Sequence, residues 1–220
     1  MMPLLAFLAL SQDPFLEDLE REPGTVRVEL LATARVTFLS GNLGEGGVDY
    51  ADNFHPGPGL ALEADFLIGM PYGWWLGPYA SAGIDRFRGD DFSDVFGTRV
   101  DPDDLEIRSL FVGVKSLSLL GPFWLVSGRV GLGAVRYEEV EADVTEAGVL
   151  RTDQEFFEPT TRMGFEAVGA FQYGTPRVRW HIGAGLRFQG GPEEGDDVEE
   201  LLDTESVGIF TLETGVVIRF

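Results

Sequence analysis

The amino-acid sequence predicts an all-β fold, an eight-stranded antiparallel up-and-down transmembrane β-barrel. Three observations lead to this prediction. Apolar and polar residues alternate in eight long stretches, the connections between them are alternately short and long, and one face of each stretch mixes small with charged residues. Strands in soluble proteins usually have about 5–6 residues, whereas a tilted strand needs about 9–11 residues to cross a bilayer. The eight stretches match the longer class.

Composition narrows the class of protein. The 220 residues include 16 Lys or Arg and 37 Asp or Glu, which gives a net charge of −21. Nucleic-acid binding is therefore not expected, because phosphate contact needs a basic face. The hydrophobic fraction of 44% argues against an acidic disordered chain. The absence of cysteine excludes disulfides and thiolate metal sites, and no apolar run is long enough for a transmembrane helix.

The chain begins with an apolar segment. Residues 1–11 are predicted to be a signal peptide, because the stretch 3–11 has the length of an apolar core region and ends in small residues. The alternative is an apolar segment that stays in the mature chain. Residues 12–24 form a short lead-in, for which Asp13 and Pro14 predict a helix over 13–22. The barrel is assigned to residues 25–220.

The eight predicted strands are defined by period-two alternation. In the first, every even position from Val26 to Phe38 is apolar, while the odd positions carry charged residues and hydroxyls apart from Leu31. The same pattern predicts strands over 26–38, 60–69, 78–87, 105–117, 124–134, 162–173, 177–188 and 210–220. The fourth stretch is the least regular. There Glu106 and Arg108 define the polar face, which places Val112 and Val114 on it as well. A β-bulge within this strand is an alternative explanation of its irregular pattern.

Two arrangements fit such strands. A soluble barrel would turn its apolar face inward, and a membrane barrel would turn its polar face inward. The polar face carries many glycines together with arginines and carboxylates, and no lysine by this assignment. Small residues between long ones suit a narrow interior, and Arg suits buried pairing with carboxylates. The predicted interior network is structural and comprises Arg27, Glu29, Arg35, Glu63, Asp65, Asp85, Glu106, Arg108, Arg129, Arg162, Glu166, Arg179, His181, Arg187, Glu213 and Arg219.

The connections alternate in length. Short connections follow the second, fourth and sixth strands, whereas long acidic ones occupy 41–58, 88–104, 138–157 and 190–205. This is the pattern of an outer-membrane barrel with short periplasmic turns and long extracellular loops. Aromatic residues gather at the short-turn end, as in an interfacial girdle: Tyr72, Trp74, Trp75, Phe123, Trp124, Tyr173 and Phe220.

These features resemble a known family. Eight amphipathic strands, alternating connections, a leading apolar segment and a final strand LETGVVIRF ending at Phe220 are similar to small bacterial outer-membrane β-barrels of the OmpA transmembrane domain, OmpX and OmpW types. The resemblance implies a bacterial outer-membrane location and contact with outer-membrane lipid. It also implies recognition of the C-terminal strand, with its Phe220, by the barrel-assembly machinery.

The expected function is a structural or surface-interaction role, with an interior filled by Arg–carboxylate pairs. No catalytic residue, cofactor or metal site is assigned. One alternative is a narrow pore or small-solute conduit. Another is a lipid A-modifying enzyme, because His55 with Asp90, Asp91 and Ser93 could form a rim site, although the His-x-Ser pair of the deacylase type is absent at His181. Weak binding of divalent cations at the acidic loops is also expected.

Overall fold

The computed structural model describes residues 23–44, 48–93, 98–121, 123–195 and 206–220. The predicted signal peptide 1–11 and the predicted helix 13–22 lie outside these residues. Among the described residues there is no helix with the length and apolar character needed to cross a membrane.

Eight long strands form one closed antiparallel barrel, as predicted. They are β1 (Val26–Ser40), β2 (Gly57–Met70), β3 (Trp74–Gly89), β4 (Leu105–Gly121), β5 (Trp124–Tyr137), β6 (Thr160–Gly174), β7 (Val178–Gly190) and β8 (Ser206–Arg219). Each strand pairs with the next one along the chain, and β8 pairs back with β1, where Arg35 is opposite Glu213. Closure leaves the barrel no free sheet edge, so its backbone donors and acceptors are paired within the wall.

The alternating sequence produces two different faces. Side chains of β1 are alternately exposed and buried along its whole length, and the other strands follow the same rule with small departures. The exposed face is apolar: Leu62 in β2 is 67% exposed and Trp180 in β7 is 66% exposed. Soluble proteins do not surround themselves with such a surface, so this wall is built to contact lipid.

The two ends of the barrel differ. At one end, three short turns join β2 to β3, β4 to β5, and β6 to β7. The first is a single 3-10 turn over Pro71–Gly73, in which Tyr72 has a φ of 67°. Exposed aromatic residues ring this end, and the Trp124 and Tyr173 rings lie 4.7 Å apart. The assignment of Trp75 to this girdle was wrong, because Trp75 points into the barrel and is buried.

The long connections carry secondary structure of their own. Strands over Phe92–Ser93, Arg99–Pro102, Val140–Glu146, Val149–Glu158 and Glu193–Glu194 form a five-stranded sheet, called here the loop sheet. A short helix over Tyr50–Asn53 and a strand over Phe54–His55 cover another part of the same rim.

An apolar cluster joins the loop sheet to the barrel. Its aromatic centre comprises Tyr50, Phe54 and Phe157, whose ring centroids are 6.3–6.5 Å apart. Phe111 of β4 and Val144 of the loop sheet belong to the same cluster. This cluster, the apolar cap, covers the long-loop end of the barrel.

Candidate functional site in the barrel interior

The interior has three layers along the barrel axis. The apolar cap lies at the long-loop end, and a smaller cluster of Leu67, Trp75, Leu117 and Leu125 lies at the short-turn end. Charged residues occupy the space between them. Among the described residues, six basic and six acidic side chains are buried: Arg27, Arg35, Lys115, Arg129, Arg179, Arg187, Glu29, Glu63, Asp65, Asp85, Glu166 and Glu213. The buried charges therefore balance, as burial in a medium of low dielectric constant requires.

Asp85 of β3 accepts hydrogen bonds from two arginines. Arg35 of β1 donates from Nε and Nη2 to the two carboxylate oxygens, at 2.7 and 2.9 Å. Arg187 of β7 donates from Nη1 to Oδ2 at 3.2 Å, and its guanidinium lies 5.1 Å from the centre of the Phe111 ring. Strands β1, β3 and β7 are thereby tied together across the interior.

Lys115 of β4 is a central cation of the interior that the sequence analysis placed on the wrong face of its strand. Its Nζ lies 2.5 Å from both Glu63 Oε1 and Asp65 Oδ2 on β2, and it is fully buried. The expectation that the polar face lacks lysine was therefore wrong. The sequence does contain a signal for the inward face of β4. Ser109 and Gly113 are small and odd-numbered like Lys115, and small residues mark the inward face of the other strands.

Arg129 of β5 is the hub of the network. It lies 2.8 Å from Glu63, 3.1 Å from Glu213 and 3.5 Å from Glu166. Glu213 in turn lies 2.8 Å from His181 Nε2. One guanidinium therefore links carboxylates from three strands, β2, β6 and β8.

Two neutral side chains complete the Glu166 environment. Tyr79 donates its hydroxyl to Glu166 at 2.9 Å, and Ser81 donates at 3.3 Å. These hydroxyls supply hydrogen bonds to the Glu166 carboxylate, which lies 3.5 Å from Arg129. Neither was assigned to the network from the sequence, because phenol and hydroxyl groups on a polar face give no charge signal.

A third group lies nearer the short turns. Glu29 of β1 pairs with Arg27 on its own strand and with Arg179 of β7. The Arg27 guanidinium also lies 5.3 Å from the centre of the Trp75 ring. This stacking joins the charged layer to the apolar cluster below it.

Glycines make room for these long side chains. A Cβ atom at Gly83 would lie 2.2 Å from Arg35 Nη2, and one at Gly131 would lie 2.2 Å from the Tyr79 hydroxyl. Both separations are well inside contact distance. The small residues on the inward face are therefore a requirement of the packed charged layer.

The structure places the sixteen predicted interior residues in three settings. Twelve are buried in the interior: Arg27, Glu29, Arg35, Glu63, Asp65, Asp85, Arg129, Glu166, Arg179, His181, Arg187 and Glu213. Arg162 and Arg219 are half-buried near opposite ends of the barrel. Arg162 donates to the Gly191 carbonyl oxygen at 2.9 Å.

The assignment of Glu106 and Arg108 to the interior was wrong. Both lie on the outer face of β4, where Arg108 is 59% exposed, and Val112 and Val114 are exposed with them. The inward residues of β4 are instead Phe111, Lys115 and others of odd number. The error has a physical cause, because β4 is apolar on both faces in its middle, and its only obvious charges lie at the rim where outward charge is tolerated.

Free space beside the Arg129 network is small. A cavity beside Arg35, Arg129, Glu166 and Glu213 has a volume of about 10 Å³, roughly what one water molecule needs. Together with the two apolar ends, this leaves a packed polar core. Such an arrangement holds the strands together across the described interior.

Two expectations from the sequence concern the long-loop rim, a site around His55 and binding of cations by the acidic loops. His55 Nε2 lies 3.0 Å from Asp90 Oδ2, and both side chains are exposed. Asp91 instead pairs with Arg99 at 2.8 Å, and the structure describes no hydrogen bond between Ser93 and the His55–Asp90 pair. Within the described residues, no group of three or more His, Asp or Glu has metal-binding geometry; the acidic segment 196–205 lies outside them.

Comparisons with known proteins agree with this architecture. No protein-family model and no curated relative matches the sequence. Among solved structures, the outer membrane protein OprG from Pseudomonas aeruginosa gives a TM-score of 0.53 at 10% identity, over 92% of this chain and 99% of that one. Neisserial surface protein A gives 0.49 at 14% identity, over 88% and 97%.

The fold is therefore that of a small outer-membrane β-barrel. The apolar wall and the aromatic girdle assign the chain to the bacterial outer membrane. Its outer wall contacts membrane lipid, and the expected orientation, with short periplasmic turns and long extracellular connections, stays a prediction.

Proposed function

We propose that this protein is a sealed outer-membrane barrel with a structural or surface-interaction role. The observation that carries the proposal is the balanced, cross-linked charge layer between two apolar clusters. Arg–carboxylate pairs across the interior resist opening, because separating one pair leaves two uncompensated charges. Against the alternative of a small-solute conduit stand the two apolar clusters at the ends of the described interior.

Planar-bilayer conductance tests this proposal. The purified protein is inserted into a lipid bilayer, with a large porin as positive control. We expect no steps above background at either polarity. Reproducible unitary steps from the wild-type protein would overturn the sealed-barrel proposal in favour of the conduit.

The loop sheet supports a surface-interaction role in addition to a structural one. It is an ordered platform anchored by the apolar cap, and Val149 and Leu150 are exposed at the tip of its hairpin. Exposed apolar residues on an ordered extracellular element are typical of contact surfaces.

A genetic experiment separates the two roles. Cells lacking the protein are complemented with the full chain or with a variant in which residues 144–151 are replaced by a two-residue turn. Entry of a hydrophobic dye reports the outer-membrane barrier, and attachment to host or abiotic surfaces reports contact. We expect the truncated variant to restore the barrier but not attachment. Restoration of both would remove the surface role.

A lipid A-modifying enzyme is a second candidate, favoured by the His55–Asp90 pair at the rim. A carboxylate that orients a histidine is a usual part of acyl-transfer sites. The test compares lipid A profiles of cells expressing the wild type, His55→Ala and, as a matched control, His181→Ala. A change in lipid A that is lost only in His55→Ala supports the enzyme, and identical profiles with and without the protein exclude it.

The remaining expectations concern partners. Recognition of the C-terminal strand by the barrel-assembly machinery is part of the proposal, and so is weak binding of divalent cations at the acidic loops. Deleting Phe220 is expected to lower the amount of folded barrel in the outer membrane without changing synthesis, as measured by fractionation.

A further inference from the structure

A chain of alternating charges runs around the outside of the barrel at its extracellular rim. Arg86 Nη2 of β3 lies 2.8 Å from Glu106 Oε2, and Glu106 Oε1 accepts from Arg108 Nη2 at 2.8 Å. Arg108 Nη1 lies 3.2 Å from Glu138 Oε1, which lies 3.3 Å from Arg136 Nε of β5. These five residues, which lie on β3, β4 and β5 and directly after β5, are called here the arginine ladder.

The ladder carries excess positive charge at close range. Arg108 and Arg136 are directly opposite each other in the pairing of β4 with β5, an arrangement that destabilises a sheet unless it is compensated. Within the ladder, Glu106 and Glu138 compensate only in part, because three arginines share two carboxylates, and Asp104 is a further acidic neighbour of Arg86. Arg88 follows on the same outer face of β3, so four basic residues gather on one side of the barrel.

This concentration is specific to one part of the wall. Among the described residues, β3, β4 and β5 carry every basic side chain on the outer face of the eight barrel strands, and the outer faces of β1, β2, β6, β7 and β8 carry none. In a chain with net charge −21, four outward arginines on three neighbouring strands form an isolated positive patch.

The ladder lies at the depth of the outer-leaflet headgroups. Arg86 is twelve residues from the girdle residue Trp74 in β3, and Arg136 is twelve residues from Trp124 in β5. Twelve residues at ~3.3 Å each, tilted by ~45°, rise by roughly 28 Å. The apolar band of such barrels is about 25 Å tall, so the guanidinium groups lie just beyond the hydrocarbon.

The next outward row toward the membrane lies beneath Arg108 and Arg136. It contains Ala82, Leu110 and Ala134, which are neighbours in the strand pairing, whereas Ile84 lies directly beneath Arg86 on β3. Two of these three side chains are single methyl groups. A lipid can therefore approach this part of the wall closely while its headgroup reaches the arginines.

From this placement we propose that the arginine ladder binds the phosphate groups of a phosphorylated outer-leaflet lipid. Arginine presents paired N–H donors that match phosphate oxygens, and basic clusters at a membrane surface attract anionic headgroups. The site takes a lipid phosphate, with its acyl chains against the wall of β3 to β5. This inference rests on the barrel lying in the outer membrane, but not on the barrel being sealed.

Native mass spectrometry in an uncharged detergent tests the proposal. Folded wild-type protein is titrated with bisphosphorylated lipid A, with lipid A lacking both phosphates, and with lipid A in a large excess of inorganic phosphate. We expect saturable adducts with the phosphorylated lipid, at least about tenfold weaker adducts without phosphates, and little competition by inorganic phosphate. Full competition by inorganic phosphate would overturn binding of a lipid in favour of a simple anion site.

The variants locate the site. Replacing Arg86, Arg108 and Arg136 together by Gln should weaken lipid A binding at least about tenfold. Replacing all three by Lys keeps the charge but not the paired donors and should weaken binding less, and Glu106→Gln should strengthen it. The matched control, Arg99→Gln with Arg151→Gln, removes exposed bases of the loop sheet and should leave binding unchanged. Circular dichroism confirms folding. Equal binding by the Gln triple variant and the wild type would overturn the proposal. This outcome leaves the sealed-barrel proposal intact as long as the bilayer conductance of the variant equals that of the wild type.

Discussion

Arg35 and Asp85 form a two-point pair inside the barrel although their strands are not neighbours. Arg35 Nε and Nη2 donate to the two oxygens of Asp85 at 2.7 and 2.9 Å, and both side chains are buried. Because β2 lies between β1 and β3, the pair bridges the interior across one intervening strand.

Removing this arginine should strongly destabilise the barrel. Arg35→Leu leaves Asp85 with Arg187 alone, and breaking a buried ion pair typically costs about 3–5 kcal/mol of unfolding free energy. Urea unfolding in micelles measures the loss. The control is Arg99→Leu, which removes an exposed partner of Asp91 and should cost at most about 1 kcal/mol. Equal losses for both variants would contradict the structural role of the interior pair.

Gly83 should not tolerate a methyl group. In Gly83→Ala the new Cβ would meet the Arg35 guanidinium at 2.2 Å, and the guanidinium cannot move without losing Asp85. Overpacking of this kind costs about 1–3 kcal/mol. Gly169→Ala adds the same methyl on the outer face, where nothing lies within 4 Å. Its unfolding free energy should match the wild type; a loss as large as that of Gly83→Ala would refute the packing argument.

Lys115 should be indispensable despite lying on an apolar strand. Lys115→Met leaves Glu63 and Asp65 side by side without their shared cation, and we expect a loss of about 3–5 kcal/mol. Adding Asp65→Asn should recover part of it by removing one of the unpaired charges. Val112→Met, on the outer face of the same strand, is the control and should change stability little. Thermal and urea unfolding distinguish the three variants.

The depth of a charge in the outer wall should decide its cost. Val114 lies midway between Arg108 and Leu120 on the outer face of β4, and all three are exposed. Val114→Arg should cost about 2–4 kcal/mol in a bilayer, whereas Leu120→Arg at the periplasmic interface should cost about 0–1 kcal/mol. Equilibrium folding into vesicles measures both. Similar small costs would show that this wall does not face hydrocarbon.

The sequence is sufficient to predict the barrel because most strands repeat the same alternation over their length. Val26 to Phe38 already defines inside and outside for β1, and closure then constrains the rest. The prediction failed at β4, where Val112 and Val114 match the apolar residues opposite them and only the rim charges Glu106 and Arg108 stand out. Charged residues at a rim therefore do not identify the inward face of a strand, since the rim tolerates outward charge.

The loop sheet was not predicted, although part of its pattern is visible. Val140, Ala142 and Val144 alternate with acidic residues or Thr145, which is a strand signal in a segment assigned to a connection. Partners could not be assigned, because the pairing of Val144 with Val100 joins segments far apart in sequence. Which carboxylate meets which base inside the barrel is likewise fixed by strand stagger, which a single strand does not encode.

The cross-interior pairs also bear on how the barrel is assembled. Arg35 reaches Asp85 over one strand, and Arg129 of β5 reaches Glu213 of β8 over two. A sheet that has not yet closed would hold such charges without partners beside lipid. Partly inserted intermediates are therefore penalised, and the last strand to dock completes many contacts at once. The balanced interior thus favours insertion as a single cooperative event.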